Sequence, residues 1–206
     1  MILIESIDRE RGVYTVHFSD GAVRRVPRTA LRAAKIHNKA PLDPAAFDAI
    51  LSKYMTSAAY TRCAALLSMK GQTEHQLRES LARVSYPQEV IEKVISSLLS
   101  AGYLNDKAFA EQWISRRTAT GIGKSRIRTE LRLKGISAEL IESAFAAFAE
   151  EETAAEETEE GLKRAFEKAS RNRDIGDPRD RQKVIAALVR KGYSFSDAYR
   201  AIKEYS

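Results

Sequence analysis

Residues 102–148 read GYLNDKAFAEQWISRRTATGIGKSRIRTELRLKGISAELIESAFAAF, and the reading of this stretch decides the fold. Gly102-Tyr103-Leu104 stops one helix, and Asn105 or Asp106 can accept the free N–H groups of the next. Phe109, Trp113 and Ile114 give that short helix an apolar face, so Trp113 is expected in the core. After the break at Thr120-Gly121-Ile122-Gly123, a second helix carries Ile127 and Leu131 inward. Lys124, Arg128 and Arg132 stand at i, i+4 and i+8 on it, a basic ridge beside the apolar face. Gly135 ends this helix, as a left-handed residue does. Ser137 caps a third, with Leu140, Ile141, Ala144, Phe145 and Phe148 at helical spacing. Helices this short are marginal alone in water and must pack on something.

The unit recurs. Leu131-Arg132-Leu133-Lys134-Gly135-Ile136, then Ser137 and Leu140-Ile141, lines up with Leu81-Ala82-Arg83-Val84-Ser85-Tyr86, then Pro87 and Val90-Ile91. Leu188-Val189-Arg190-Lys191-Gly192-Tyr193, then Ser194 and Ala198-Tyr199, is a third copy. A period of about fifty to sixty residues signals stacked helical units.

Gly102-Tyr103-Leu104-Asn105-Asp106, Phe109-Ala110, Arg117, Gly123-Lys124, Ile127, Glu130-Leu131 and Lys134-Gly135-Ile136 together resemble the core of RecX, the bacterial regulator of the RecA recombinase. The resemblance runs over residues 55–206, best in the middle repeat and weakest in the third. It implies a non-enzymatic protein without cofactor that lies in the groove of the RecA–single-stranded DNA filament. There it would restrain ATP hydrolysis, strand exchange and co-protease action, in recombination and DNA repair.

Charge is unevenly placed. The net charge is +6, yet Glu150, Glu151, Glu152, Glu156, Glu157, Glu159 and Glu160 form one acidic run, which leaves a strongly basic body. Such a body suits nucleic acid or an acidic protein surface. The run itself reads as a solvated helical segment that can extend the helix before it. A single cysteine, Cys63, excludes an internal disulfide and fits a reducing cytosol, with the thiol buried among Ala64, Ala65 and Leu66. No apolar run reaches spanning length, and Met1–Glu5 lacks the features of a secretory signal, so a cytoplasmic protein is expected.

The N-terminal residues do not read as helix. Ile2–Ile7 is apolar and β-branched, Val13–Phe18 alternates, and Asp20-Gly21 is a hairpin turn signal. A three-stranded meander leaning on a helix over Arg28–Ile36 follows, similar to a β extension in some RecX-like proteins. Asp43 and Pro44 start a helix expected to reach Tyr54, with Thr56 or Ser57 opening the first repeat. The expected fold is mainly α, an elongated, curved array of three three-helix repeats behind a small antiparallel β module. Its boundaries are 1–40 for the β module with its helix, 41–55 for a linker helix, 56–103, 104–152 and 153–206 for the repeats.

Chemistry finds little purchase. Thr118–Ser125 reads TATGIGKS, but Thr118 replaces the first glycine of a phosphate-binding loop and a helix precedes it where a strand is required. His17, His37 and His75 have no partners at metal-ligand spacing. No nucleophile–base constellation is present. The functional signal is cationic: Arg116, Arg117, Lys124, Arg126, Arg128, Arg132 and Lys134 share nineteen residues with one acid, Glu130. Arginine forks suit phosphate and carboxylate alike. Arg62, Lys70 and Arg78 of the first repeat are a secondary set. The expected partner is a RecA filament bound by a monomer, with single- or double-stranded DNA as a further ligand. The alternative is a DNA-binding protein that uses its repeats as helix-turn-helix-like units without RecA.

Overall fold

Alternation along Val13–Phe18 places Tyr14, Val16 and Phe18 on one face of a strand, and all three are buried. In the computed structural model, which describes residues 2–69, 71–151 and 153–205, this strand (β2, Val13–Phe18) is the centre of a meander. It pairs antiparallel with β1 (Ile4–Arg9) and β3 (Val23–Pro27), with Ile7 opposite Val16 and Tyr14 opposite Val26. Two helices cover the inner face, α1 (Arg28–Ala33) and α2 (Pro44–Met69). Phe18 meets Phe47 edge to face, ring centroids 5.3 Å apart.

The helix α2 runs unbroken through Thr56 and Ser57, where the sequence suggests a division. No Gly or Pro interrupts it after Pro44, and Phe47, Leu51, Met55, Ala59 and Cys63 keep one buried stripe throughout. Helix α3 (Glu74–Ala82) opens on the Thr73–Gln76 capping box, and α4 (Gln88–Ser100) starts after Pro87. The apolar face of α4 is Val90, Ile91, Val94, Ile95 and Leu98, while Leu99 is exposed. Sheet and helices pour into one continuous core, from Ile4 and Phe18 through Leu51 and Cys63 to Leu98 and Leu104. Thr29 and Tyr86, whose hydroxyls lie 2.5 Å apart, tie the β module to the first repeat. These elements make up one compact unit, Met1–Asn105.

The second unit, Asp106–Ser206, holds six helices among its described residues. Helices α5 (Asp106–Ala119), α6 (Lys124–Leu133) and α7 (Ala138–Glu150) enclose Ala110, Ile114, Ile127, Leu131, Ile141 and Phe145. Helices α8 (Ala154–Ser170), α9 (Pro178–Arg190) and α10 (Phe195–Tyr205) enclose Leu162, Phe166, Val184, Leu188 and Ala198. Gly135 adopts φ 82° after α6 and the Ser137 hydroxyl caps α7, as expected. The acidic run does not extend α7. That helix stops at Glu150, Glu151 turns out at ψ 137°, and α8 begins at Ala154. Glu156 and Glu157 thus fall in the first turn of a new helix, where the dipole favours them. Glu152 lies outside the described residues.

The two cores of this unit meet through backbone. Gly123 N–H donates to Lys191 O at 2.9 Å and Ser125 N–H to Gly192 O at 3.2 Å, so the start of α6 takes carbonyls from the end of α9. A Cβ on Gly123 would stand 2.2 Å from the Gly192 carbonyl carbon. One on Gly161 of α8 would stand 2.4 Å from Thr118 O of α5. The glycines of Thr118–Ser125 therefore serve close packing of repeat on repeat, which explains a loop that looks like a phosphate cradle but lies between two helices.

Candidate functional site

The inward face of α5 is Ala110, Ile114 and Thr118, spaced four residues apart. Phe109 and Trp113 stand off that face and are only half-buried, so Trp113 is not the core residue the sequence suggests. The rings stack nearly parallel, 15° apart, with centroids at 5.7 Å. Cations cover the indole: Lys134 Nζ lies 4.1 Å and Arg116 Cζ 4.8 Å from its centroid, with Arg117 at 5.8 Å. The indole N–H needs an acceptor and finds Glu130 of α6 at 3.1 Å. This partner is itself half-buried.

Glu130 is the hub of the first of two cationic groups. It accepts a two-pronged bond from Arg117, at 2.8 and 2.5 Å, and a longer one from Arg126 at 3.4 Å. Burial works to raise its carboxyl, but the bonds and charge of Arg117, with Trp113 and Arg126, hold it below the usual range. Arg116, Arg117, Arg126 and Lys134 thus gather around Trp113 and Glu130.

The predicted ridge lies on the other flank of α6 and is not uniform. Arg128 pairs with Glu142 of α7 through two bonds of 2.8 Å, and its guanidinium lies 4.5 Å from the Phe145 ring centroid. The Arg128 bond holds the Glu142 carboxyl below its ordinary range. Lys124 and Arg132 are exposed and form no ion pair among the described residues. Arg132 acts on Glu142 only through its charge, so two cations without an ion pair stand apart from five that are bonded or stacked locally.

Between α6 and the third repeat lies a cavity of about 470 Å³, lined by Lys124, Ser125, Arg128, Ser194, Asp197 and Arg200. Arg200 is held by Glu159 at 2.7 Å and Glu204 at 3.2 Å. Lys191, half-buried beside Lys168 and Arg126, is held below its ordinary pKa by burial first and by those charges second. Lys191, Lys168 and Arg200 extend the basic region into the third repeat. Sequence reasoning missed them because they are distant in the chain; the Lys191-Gly192 match to Lys134-Gly135 was the available signal.

In the first unit Arg78 is bonded to Glu74 at 2.7 Å and Glu92 at 2.6 Å, and Arg62 donates to Ser80 at 3.1 Å. Lys70 lies outside the described residues. Burial raises the Cys63 thiol to about 11, against the pull of Arg62, so it is an inert core group. His17 pairs with Asp8 at 3.0 Å, and among the described residues no three metal-ligating side chains gather. Among them also, no helix is long and apolar enough to cross a membrane.

Comparison with known proteins assigns the repeats. Residues 59–98, 105–144 and 156–202 match the family models for the first, second and third three-helix domains of RecX. Regulatory protein RecX of Mycobacteroides abscessus is 38% identical over 146 residues, 70% of each chain. That of Streptomyces coelicolor is 34% identical over 145 residues, 69% of this chain and 74% of the relative. A crystal structure of a regulatory protein RecX superposes with a TM-score of 0.62 at 26% identity, covering 99% of this chain and all of the other. The structure of RecX from Lactobacillus salivarius, at 22% identity and a TM-score of 0.61, shares the fold over 73% of this chain and 96% of the other. With its three domains matched in order and relatives this similar over most of their length, the chain belongs to the RecX family.

Proposed function

We propose that this chain is a regulatory protein that binds the RecA–single-stranded DNA filament as a monomer in the cytoplasm and restrains its ATPase, strand-exchange and co-protease activities. Family membership and the relatives' name, regulatory protein, support the regulatory part. The observation that carries the contact is that Lys124 and Arg132 are exposed and form no ion pair among the described residues, on a helix whose other cations are engaged. Each lies four residues from Arg128, and like charges at that spacing repel by a few tenths of a kcal/mol per pair. A partner with carboxylates or phosphates offsets that cost, and a recombinase filament offers both.

The deciding experiment is RecA ATPase on single-stranded DNA with added protein. Inhibition by the parent is expected. The pair Lys124→Glu and Arg132→Glu should weaken filament binding at least about tenfold, roughly 1.4 kcal/mol, and flatten its salt dependence. An unaltered ATPase with the parent protein would sink the reading. Full inhibition by the double variant would move the docking surface away from α6.

A further inference from the structure

The β module carries a basic groove of its own. Arg9 of β1, Arg28 and Arg32 of α1, and Lys35 beyond it line a cavity of about 570 Å³, with His37 and Asn38 at one end. Among the described residues none of these four cations forms an ion pair, and no carboxylate lines the groove. The nearby acids are committed elsewhere, Asp8 to His17 at 3.0 Å and Glu10 to Arg25 at 2.9 Å. The arrangement is costly. Arg28 and Arg32 are like charges at i, i+4, and Arg28 stands at the positive end of α1, which has no acid in its first turn. Lys35 is held at φ 53°, a left-handed backbone that a non-glycine residue rarely adopts.

The geometry points to this groove as a second binding site, for the phosphodiester backbone of a nucleic acid strand, separate from α6 and independent of the filament reading. Three of the four cations are arginines, whose forks match phosphate oxygens. An acidic protein would need an apolar anchor at the centre of the contact. Here Tyr14 and Leu31 are buried and Ile7 and Ile36 half-buried, so no such anchor is offered. The outer edge of β1 is already paired at Ile4, whose N–H donates to Ala40 O at 3.0 Å and whose carbonyl accepts from Lys39 N–H at 2.9 Å. The groove lies outside the segments that the three RecX domain models match.

The test is binding of a labelled oligothymidylate to the full chain across a salt series, without RecA, beside a labelled polyglutamate. Parent protein should bind the oligonucleotide more tightly than polyglutamate, with a steep salt slope. Replacing Arg9, Arg28, Arg32 and Lys35 together by Gln should lower affinity at least about tenfold, and reduce the log–log slope by roughly 3, at about 0.7 per phosphate contact on a single strand. All four are exposed, and circular dichroism checks that helix content is kept. If the quadruple variant does not fold, Arg28→Gln with Arg32→Gln alone should reduce the slope by about 1.4. Arg28→Lys with Arg32→Lys should keep it. Any of three results would overturn the site: no salt-dependent binding by the parent, parent-like affinity and slope in the Gln variant, or polyglutamate bound as tightly as the oligonucleotide. A loss seen only on changing Lys124 and Arg132 would place the nucleic acid on α6 instead, while failure of RecA inhibition leaves this site standing.

Discussion

Phe18 and Phe47 meet ring to ring in the one core of the first unit; in the second, Gly123 and Gly192 meet with no side chain between them. The first unit joins a sheet to a three-helix repeat by running one apolar core through both. The second keeps two cores and joins them along a seam of backbone hydrogen bonds made possible by missing side chains. Apolar joining is collective and forgiving, since burial is non-directional and summed over many groups. Backbone joining depends on clearance at a few atoms. The first unit should therefore fail as a whole when its core is cut, and the second should fail at one line when its seam is filled.

The largest effect expected is at Phe18. Its ring is fully buried, and Phe18→Ala should cost about 3–5 kcal/mol. Hydrogen exchange should show α2 and α4 losing protection together with the strands. Loss confined to the sheet would break the picture of a shared core. At the seam, Gly192 has φ 94° and a Cβ there would lie 2.5 Å from Arg126 N. Gly192→Ala should cost about 2–4 kcal/mol, the left-handed penalty plus a forced backbone shift. Exchange should speed up in α6 and α9 while the first unit keeps its protection, and a variant that melts like the parent would show that the seam is loose.

Smaller effects test the surface of the second unit. Trp113→Ala should cost about 1–2 kcal/mol, less than a core tryptophan, because the ring is half-buried. Glu130 adds a pH dependence. Its carboxyl is held below the ordinary range in the fold, so the stabilisation is fully present above the unfolded value of about 4.3 and is lost as pH falls through the folded value. Glu130→Gln should be less stable than the parent at neutral pH and should lose less on acidification in that window. Parallel melting curves for the two proteins between pH 7 and pH 3 would dismiss the hub. The smallest change is expected for Lys124→Glu with Arg132→Glu, within about 0.5 kcal/mol of the parent. Arg128→Glu should cost more than that pair, because it leaves Glu142 beside a like charge.

Much of this was legible in the chain. Glycine stops, capping residues and the stripe Leu140, Ile141, Ala144, Phe145 and Phe148 declare helices from local chemistry alone, and Val13–Phe18 declares a strand. The repeated Lys-Gly, as at Lys134-Gly135 and Lys191-Gly192, declares the units. What a helical wheel cannot rank is which of two adjacent apolar residues points to the core. Trp113 and Ile114 are such a pair, and the fold turns Ile114 inward and leaves Trp113 half-buried. Pairing across the chain is hidden as well: Arg128 with Glu142 and Arg117 with Glu130 join residues on different helices, so seven cations read alike in sequence while the fold leaves Lys124 and Arg132 exposed, with no ion pair among the described residues. The glycines of Thr118–Ser125 resemble a phosphate loop until Gly192 is set against them. Local structure follows from short-range sterics and hydrogen bonding, which adjacent residues carry with them. Which cations stay open, and which glycines are indispensable, depends on atoms dozens of residues away, and only the packed helices bring those atoms within bonding distance.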